Sequence, residues 1–206
     1  MIQVFGYTPS GNCWKVSQVL RLTGVAFDWV EVDSNAGGTR TEAFLAMNPA
    51  GKIPTVRLAD GAVITESNAI MAHFAEGTPL LPAPGLARTR VFEWLFFEQY
   101  SHEPYIAVAR NIVSFLRAAE ANAARLEQCR IGGERALGVM EARLSGHDWL
   151  TDHGPTIADI ALVAYTQAAD EGGFDLARWP GVRAWVARCL AVPGITALMR
   201  APAPLS

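Results

Sequence analysis

Tyr7-Thr8-Pro9-Ser10-Gly11-Asn12-Cys13 lies between a strand pattern and a helix pattern. Before it, Ile2 to Phe5 is a short β-branched and aromatic run. After it, Val16, Val19, Leu20 and Thr23 recur at helical spacing, and Gly24 is a natural C-terminal stop. Phe27 to Val32 returns to strand character. The turn is thus the first crossover of a βαβ unit, whose two strands should run parallel.

A second unit follows. Thr39 and Glu42 have the spacing of a capping box for a short helix through Phe44 and Leu45. Thr55 to Leu58 and Ala62 to Thr65 read as strands. Asp60-Gly61 between them is a hairpin signal, because both residues tolerate positive φ. Ile70, Met71, Phe74 and Ala75 form one face of a third helix. Gly77, Pro79, Pro82, Pro84 and Gly85 then make a stiff linker. Beyond it the pattern is helical. Val91 to Leu116 is long and apolar, with a kink expected at Pro104. Ala118 to Leu144 is rich in Ala, Leu, Arg and Glu. Thr156 to Asp159, preceded by Pro155, is a capping box that opens a helix through Tyr165, and its role is structural. Trp179 to Leu190 and a short piece after Pro193 finish the chain. The expected architecture is an α/β domain over 1–77, a linker over 78–86 and an all-α domain over 87–206. No repeats or low-complexity segments stand out.

Composition narrows the function. The chain has 206 residues, 50% hydrophobic and 18% charged, enough to bury a sizeable core. Seventeen basic and 20 acidic side chains give a net charge of −3, so no nucleic-acid or anionic-membrane partner is expected. The apolar runs fall short of the ~20 residues that span a bilayer, and no secretory signal pattern opens the sequence. Cys13, Cys129 and Cys189 are odd in number and widely spaced, which suits a reduced cytoplasm. His147 and His153 have no partners at metal spacing, so no metal site is expected.

Three stretches in the first half could hold a ligand. At the Tyr7–Cys13 turn, a helix start offers unpaired N–H groups and partial positive charge, with Ser10 and Asn12 as added donors. A thiolate would be stabilised there. The bland alternative is that both residues only cap the helix. In Gly51-Lys52-Ile53-Pro54-Thr55, a cis bond at Ile53-Pro54 would turn the Ile53 N–H and C=O outward to pair with a peptide. At Thr65-Glu66-Ser67-Asn68, Ser67 and the helix amides could hold a carboxylate and Glu66 an ammonium, as an amino-acid ligand requires. A solvated N-cap is the alternative there.

These motifs, with Asn48-Pro49-Ala50 ahead of Gly51 and the late capping box, fall in one order that resembles the cytosolic glutathione transferases from end to end. Trp94 to Arg110 resembles a bacterial subgroup with serine or threonine at the active turn. The resemblance implies a thioredoxin-like first domain and an all-helical second domain. It implies glutathione as co-substrate, with Ser10 at its sulfur and Asn12 as a second donor. Ile53, beside cis Pro54, would pair with the cysteinyl unit. Glu66 and Ser67 would grip the γ-glutamyl end, and Lys52 and Arg40 would face the glycine carboxylate. Tyr7 precedes Ser10 and is not expected at the sulfur. Cys13 is expected to be a small core residue.

The implied reaction is thiolate attack on a small hydrophobic electrophile. Glutathione-dependent disulfide reduction and a non-catalytic binding role are the alternatives. The second-substrate pocket should lie between the domains, with Trp14, Phe97, Tyr100, Tyr105 and Tyr165 as candidates. His102 and Glu103 interrupt the apolar run and could reach the cleft or a partner. The excess apolar surface of Val91 to Phe115 and the resemblance together imply a homodimer.

Overall fold

The computed structural model describes residues 1–202. The last four residues of the expected helical domain, 203–206, lie outside the described residues. Four strands, β1 (Ile2–Gly6), β2 (Phe27–Glu31), β3 (Thr55–Arg57) and β4 (Val63–Thr65), form one sheet in the order β2-β1-β3-β4. β1 and β2 are parallel, as the crossover through α1 (Gly11–Leu22) requires, with Ile2 opposite Phe27 and Gly6 opposite Glu31. β3 runs antiparallel to both β1 and β4, joined to β4 through the Asp60-Gly61 turn, where Gly61 takes φ 91°. Val4 and Val56 are fully buried on the sheet, and Val16, Val19 and Leu20 of α1 join the same core. Gly24 closes α1 in the left-handed region at φ 70°.

The second short helix, α2 (Glu42–Met47), starts later than its sequence suggests. Thr41, not Thr39, is its N-cap and accepts the Phe44 N–H at 3.2 Å. Thr39 is buried in a 3₁₀ turn over Gly38–Arg40 that shifts the start by two residues. α3 (Ser67–Ala75) buries Ile70 and Met71.

The helical half begins at α4 (Leu86–Phe97). The long apolar pattern expected from Val91 onward is broken at Pro104, in the first turn of α5 (Glu103–Arg110). A proline inside a helix removes one N–H and crowds the carbonyl a turn earlier. The chain meets this by widening into a π-helical turn over Glu98–His102, and it widens again over Asn111–Phe115. The first π turn carries Glu98 and His102 into the interior while Tyr100 faces out.

α7 (Ile157–Thr166) packs against α1, α4 and α8 (Pro180–Leu190), and α6 (Ala123–Leu144) packs against α5 and α8. Every residue of α7 is buried, so it forms the centre of the molecule and packs against α1. Its capping box is complete. Asp159 accepts the Thr156 N–H at 2.9 Å and also ties in the Leu150 N–H and Trp185 Nε1. The piece after Pro193 is not helical. It straps the two halves together: Thr196 donates its N–H to Gln18 and accepts Trp14 Nε1, and Leu198 donates to Gln167. Among the described residues no helix is long and apolar enough to cross a membrane.

Candidate active site

Three loop ends meet at the N-terminus of α1. Ser10 is the N-cap, in extended conformation, and its hydroxyl oxygen accepts the Cys13 N–H at 3.4 Å. The turn is pinned by a side chain that sequence reasoning overlooked. Arg110, 3% exposed, donates Nη1 to the Pro9 carbonyl at 2.8 Å and Nη2 to the Met199 carbonyl at 2.9 Å, while Nε pairs with Glu171 at 2.6 Å. The available signal was one arginine in an otherwise apolar run.

Asn12 is held between the two halves. Its side-chain amide donates to Glu103 at 2.7 Å, and its oxygen accepts from the buried Ser67 hydroxyl at 3.3 Å. Its backbone N–H goes to the Tyr165 hydroxyl at 3.2 Å. Ser67 is the first residue of α3, and Glu66 before it is exposed and adopts φ 64°. A non-glycine residue in that region is uncommon and holds the α3 N-terminus at a fixed angle beside α1.

The Ile53-Pro54 bond is cis. Asn48, nearly buried, locks the loop before it by donating to the Lys52 carbonyl at 2.8 Å and to the Thr55 hydroxyl at 2.9 Å. Among the described residues the Ile53 N–H and C=O have no hydrogen-bond partner. Lys52 is exposed beside them. Arg40, also exposed, lies over Gly51, where an added β carbon would stand 2.6 Å from Nη1; Gly51 has φ 59°.

Beneath these loops runs a buried charge network. Lys15 Nζ meets Glu98 at 3.1 Å with both side chains fully buried. Asn68 and Gln99 donate to the other Glu98 oxygen, and Gln99 also donates to Glu103 at 2.6 Å. Burial pushes the Glu98 carboxyl up, but the Lys15 ammonium and the surrounding donors more than offset this and leave it below the usual carboxylate range. Burial, with Glu98 nearby, raises the Glu103 carboxyl. His102 is pushed down to about 4 by burial and stays neutral, with Nε2 on Thr166 at 2.9 Å. Cys13 is fully buried and pushed up to about 11, mainly by burial, so it is an inert core thiol.

A cavity of about 140 Å³ opens beside Ser10, between Tyr7, Asn35 and the helical residues Arg110, Asn111, Phe115 and Tyr165. Of the aromatic candidates for the second-substrate pocket, only Tyr165 borders it. Trp14 is buried and turned toward Thr196. Tyr100 is 85% exposed on the outer face, and Tyr105 packs on Gly132 of α6. Phe97 stacks edge-on with Trp94, away from Ser10. Of these, only Tyr100 and Tyr105 lie within or after the first π turn, which changes the helical phase of the side chains that follow it.

Residues 9–76 match the sequence profile of the glutathione S-transferase N-terminal domain, and residues 98–193 that of its C-terminal domain. The chain belongs to the glutathione S-transferase family. A solved glutathione S-transferase from Xanthobacter autotrophicus Py2 is 60% identical, with a TM-score of 0.94 over 96% of this chain and 97% of that one. Glutathione S-transferase 3 of Zea mays is 33% identical over 89% of this chain and 86% of its own length. Ure2p in complex with glutathione is 27% identical, with a TM-score of 0.83 over 94% and 91% of the two chains. As the family fold requires, an α/β thioredoxin-like part is followed by an all-helical part, as expected from the sequence.

Proposed function

We propose that this chain is a glutathione transferase that holds the tripeptide across the three loop ends and activates its thiol at Ser10. The carrying observation is the convergence of a capped helix N-terminus, a loop with an unpaired Ile53 backbone and the α3 start at Ser67. Glutathione would lie extended, with its cysteinyl backbone on Ile53. The γ-glutamyl carboxylate would take the α3 amides and Ser67, and its ammonium would face Glu66. The glycine carboxylate would meet Lys52 and Arg40. The solved glutathione complex of Ure2p supports this reading.

The thiol releases its proton to solvent, and the sulfur anion is stabilised by the Ser10 O–H and the α1 N-terminus. It then attacks an electrophilic carbon in the cavity, forming the S–C bond as the leaving group departs. Asn12 braces Ser67 against Glu103 instead of serving as the main donor. The cavity favours a small second substrate. A reduced cytoplasm suits the three buried, unpaired cysteines.

Calorimetric titration with glutathione, followed by conjugation assays with small aryl halides and enones, tests this. Ser67→Ala should raise the glutathione Kd about tenfold or more, since a charge-assisted hydrogen bond contributes about 1.5–3 kcal/mol. An unchanged Kd removes Ser67 from the site.

The groove between α3 and α4, lined by Ala69, Ala72, Phe92, Leu95 and Phe96, is about 390 Å³ and leaves Phe96 71% exposed. We assign it to a second copy of the chain in a two-fold dimer. Light scattering should give about twice 22.2 kDa.

A further inference from the structure

The helix that carries Arg110 does not continue regularly past it. It widens into the second π turn, Asn111–Phe115, closed by the Leu116 N–H on the Asn111 carbonyl at 2.9 Å. Arg110, Asn111 and Phe115 all border the cavity that Ser10 also borders. π turns recur at functional sites, where the extra residue re-aims the side chains beside it. Here the aim is fixed twice from the segment Ala169–Gly172. Ser114 donates its hydroxyl to the Glu171 carbonyl at 2.7 Å, and the Glu171 carboxylate holds Arg110 Nε at 2.6 Å.

The wall of that cavity is polar. Seven of its ten lining residues end in a polar group, and none of the ten is a carboxylate. Its one charge is the Arg110 guanidinium, which lies 4.9 Å from the centre of the Phe115 ring. Glu171 is not part of the wall, and it divides its own charge between Arg110 and Arg200. The half-buried Asn111 side-chain amide makes no hydrogen bond among the described residues. An aliphatic side chain would suit a purely hydrocarbon occupant better. A half-buried amide beside a cation is satisfied only when a ligand oxygen meets it.

We propose that the second substrate is a short conjugated carbonyl compound, an enone or enal, and that the Asn111 amide donates to its carbonyl oxygen with the Arg110 charge beside it. A cavity this small sets the two ends of such a molecule against Ser10 and Asn111 at once. The sulfur anion forms the S–C bond at the β carbon. The C=C electron pair shifts toward the carbonyl, leaving an enolate oxygen, and solvent delivers one proton to the α carbon. The oxygen gains its full negative charge only on attack. A donor fixed there therefore stabilises the transition state more than the bound substrate. An allylic halide instead puts its developing charge on a departing halide, a weaker hydrogen-bond acceptor than an enolate oxygen.

The inference rests on the glutathione reading, and the test separates the two. Methyl vinyl ketone and crotyl chloride have the same number of heavy atoms and differ in the carbonyl. For each, kcat/KM is divided by the rate constant of the uncatalysed reaction with glutathione. In the wild type this enhancement should be about tenfold or more larger for the ketone. Asn111→Leu keeps the volume and removes the amide. It should lower the ratio of ketone to chloride enhancement roughly tenfold, with the loss in kcat more than in KM. Asn111→Asp, which keeps the shape but offers only acceptors, should lower the same ratio and serves if Asn111→Leu folds poorly. Equal enhancements in a wild-type protein that binds glutathione, or variants that lose both activities in proportion, overturn this assignment and leave the glutathione reading standing. A wild-type protein that binds no glutathione in calorimetry overturns that reading, and this inference with it.

Discussion

Ser10→Ala should cut turnover of a nitro-substituted aryl chloride roughly tenfold to a hundredfold, with a much smaller change in glutathione affinity. In the proposed complex the hydroxyl would meet the sulfur alone, whereas the tripeptide would have separate anchors at Ile53, Ser67 and the Lys52 side. A hydrogen bond to a charged acceptor contributes about 1.5–3 kcal/mol, and here it acts on the anion more than on the neutral thiol. The loss should be greatest at low pH. With a higher thiol pKa, the rate of the variant should climb toward wild type as the pH rises and the thiol ionises unaided. Steady-state kinetics over a pH series reads this directly. A flat ratio of variant to wild type across the series would assign Ser10 to helix capping only.

Lys15→Met should have the largest effect on stability, about 3–5 kcal/mol, because it leaves the buried Glu98 carboxylate without its cation. Glu98 sits at the junction of α1 with the first π turn, so the loss would be felt as separation of the two halves. Pairing the change with Glu98→Gln, which removes the buried charge, should recover most of it. The acid dependence has a definite sign. The Glu98 carboxyl is held below its ordinary value in the folded state. Its contribution is therefore present above the ordinary carboxylate range and lost as the pH falls through the lowered value. Urea unfolding of the two variants and wild type at neutral pH checks the magnitude. A Lys15→Met variant as stable as wild type would show that water reaches Glu98 and that the pair contributes little.

What could be read from the chain was what local chemistry decides. Gly24, Asp60-Gly61 and the Thr156–Asp159 box mark their turns and caps because each acts within a few residues of itself. The expected capping box at Thr39 failed by two residues. Gly37 and Gly38 let the chain make a 3₁₀ turn first, and Thr41 then offers the same hydroxyl one residue before the helix. The kink at Pro104 was legible, but its form as a π turn was not, because proline marks where a helix is disturbed and not how the backbone relaxes.

The candidate site divides in the same way. Ser10, Ile53, Pro54, Glu66 and Ser67 stand at loop ends whose motifs announce them, and the structure brings those loop ends together. Arg110 on Pro9, Glu103 on Asn12 and Tyr165 on the Asn12 N–H each join positions about a hundred or more residues apart. No periodicity encodes such contacts; they exist only once α5 and α7 are docked on α1. The aromatic candidates were misplaced for a related reason. Trp14, Tyr100 and Tyr105 have the right chemistry for an apolar pocket, but the C-terminal strap draws Trp14 to Thr196, and the extra residue of the first π turn changes the phase of the helix that carries Tyr100 and Tyr105.

The most direct measurement is a crystal structure of the protein with glutathione bound. The account predicts the sulfur within hydrogen-bond distance of the Ser10 hydroxyl at the mouth of the small cavity. It also predicts that the cysteinyl backbone pairs with Ile53 and that the γ-glutamyl carboxylate lies on Ser67. A tripeptide bound elsewhere, or one whose sulfur faces away from Ser10 toward solvent or Tyr7, would contradict it.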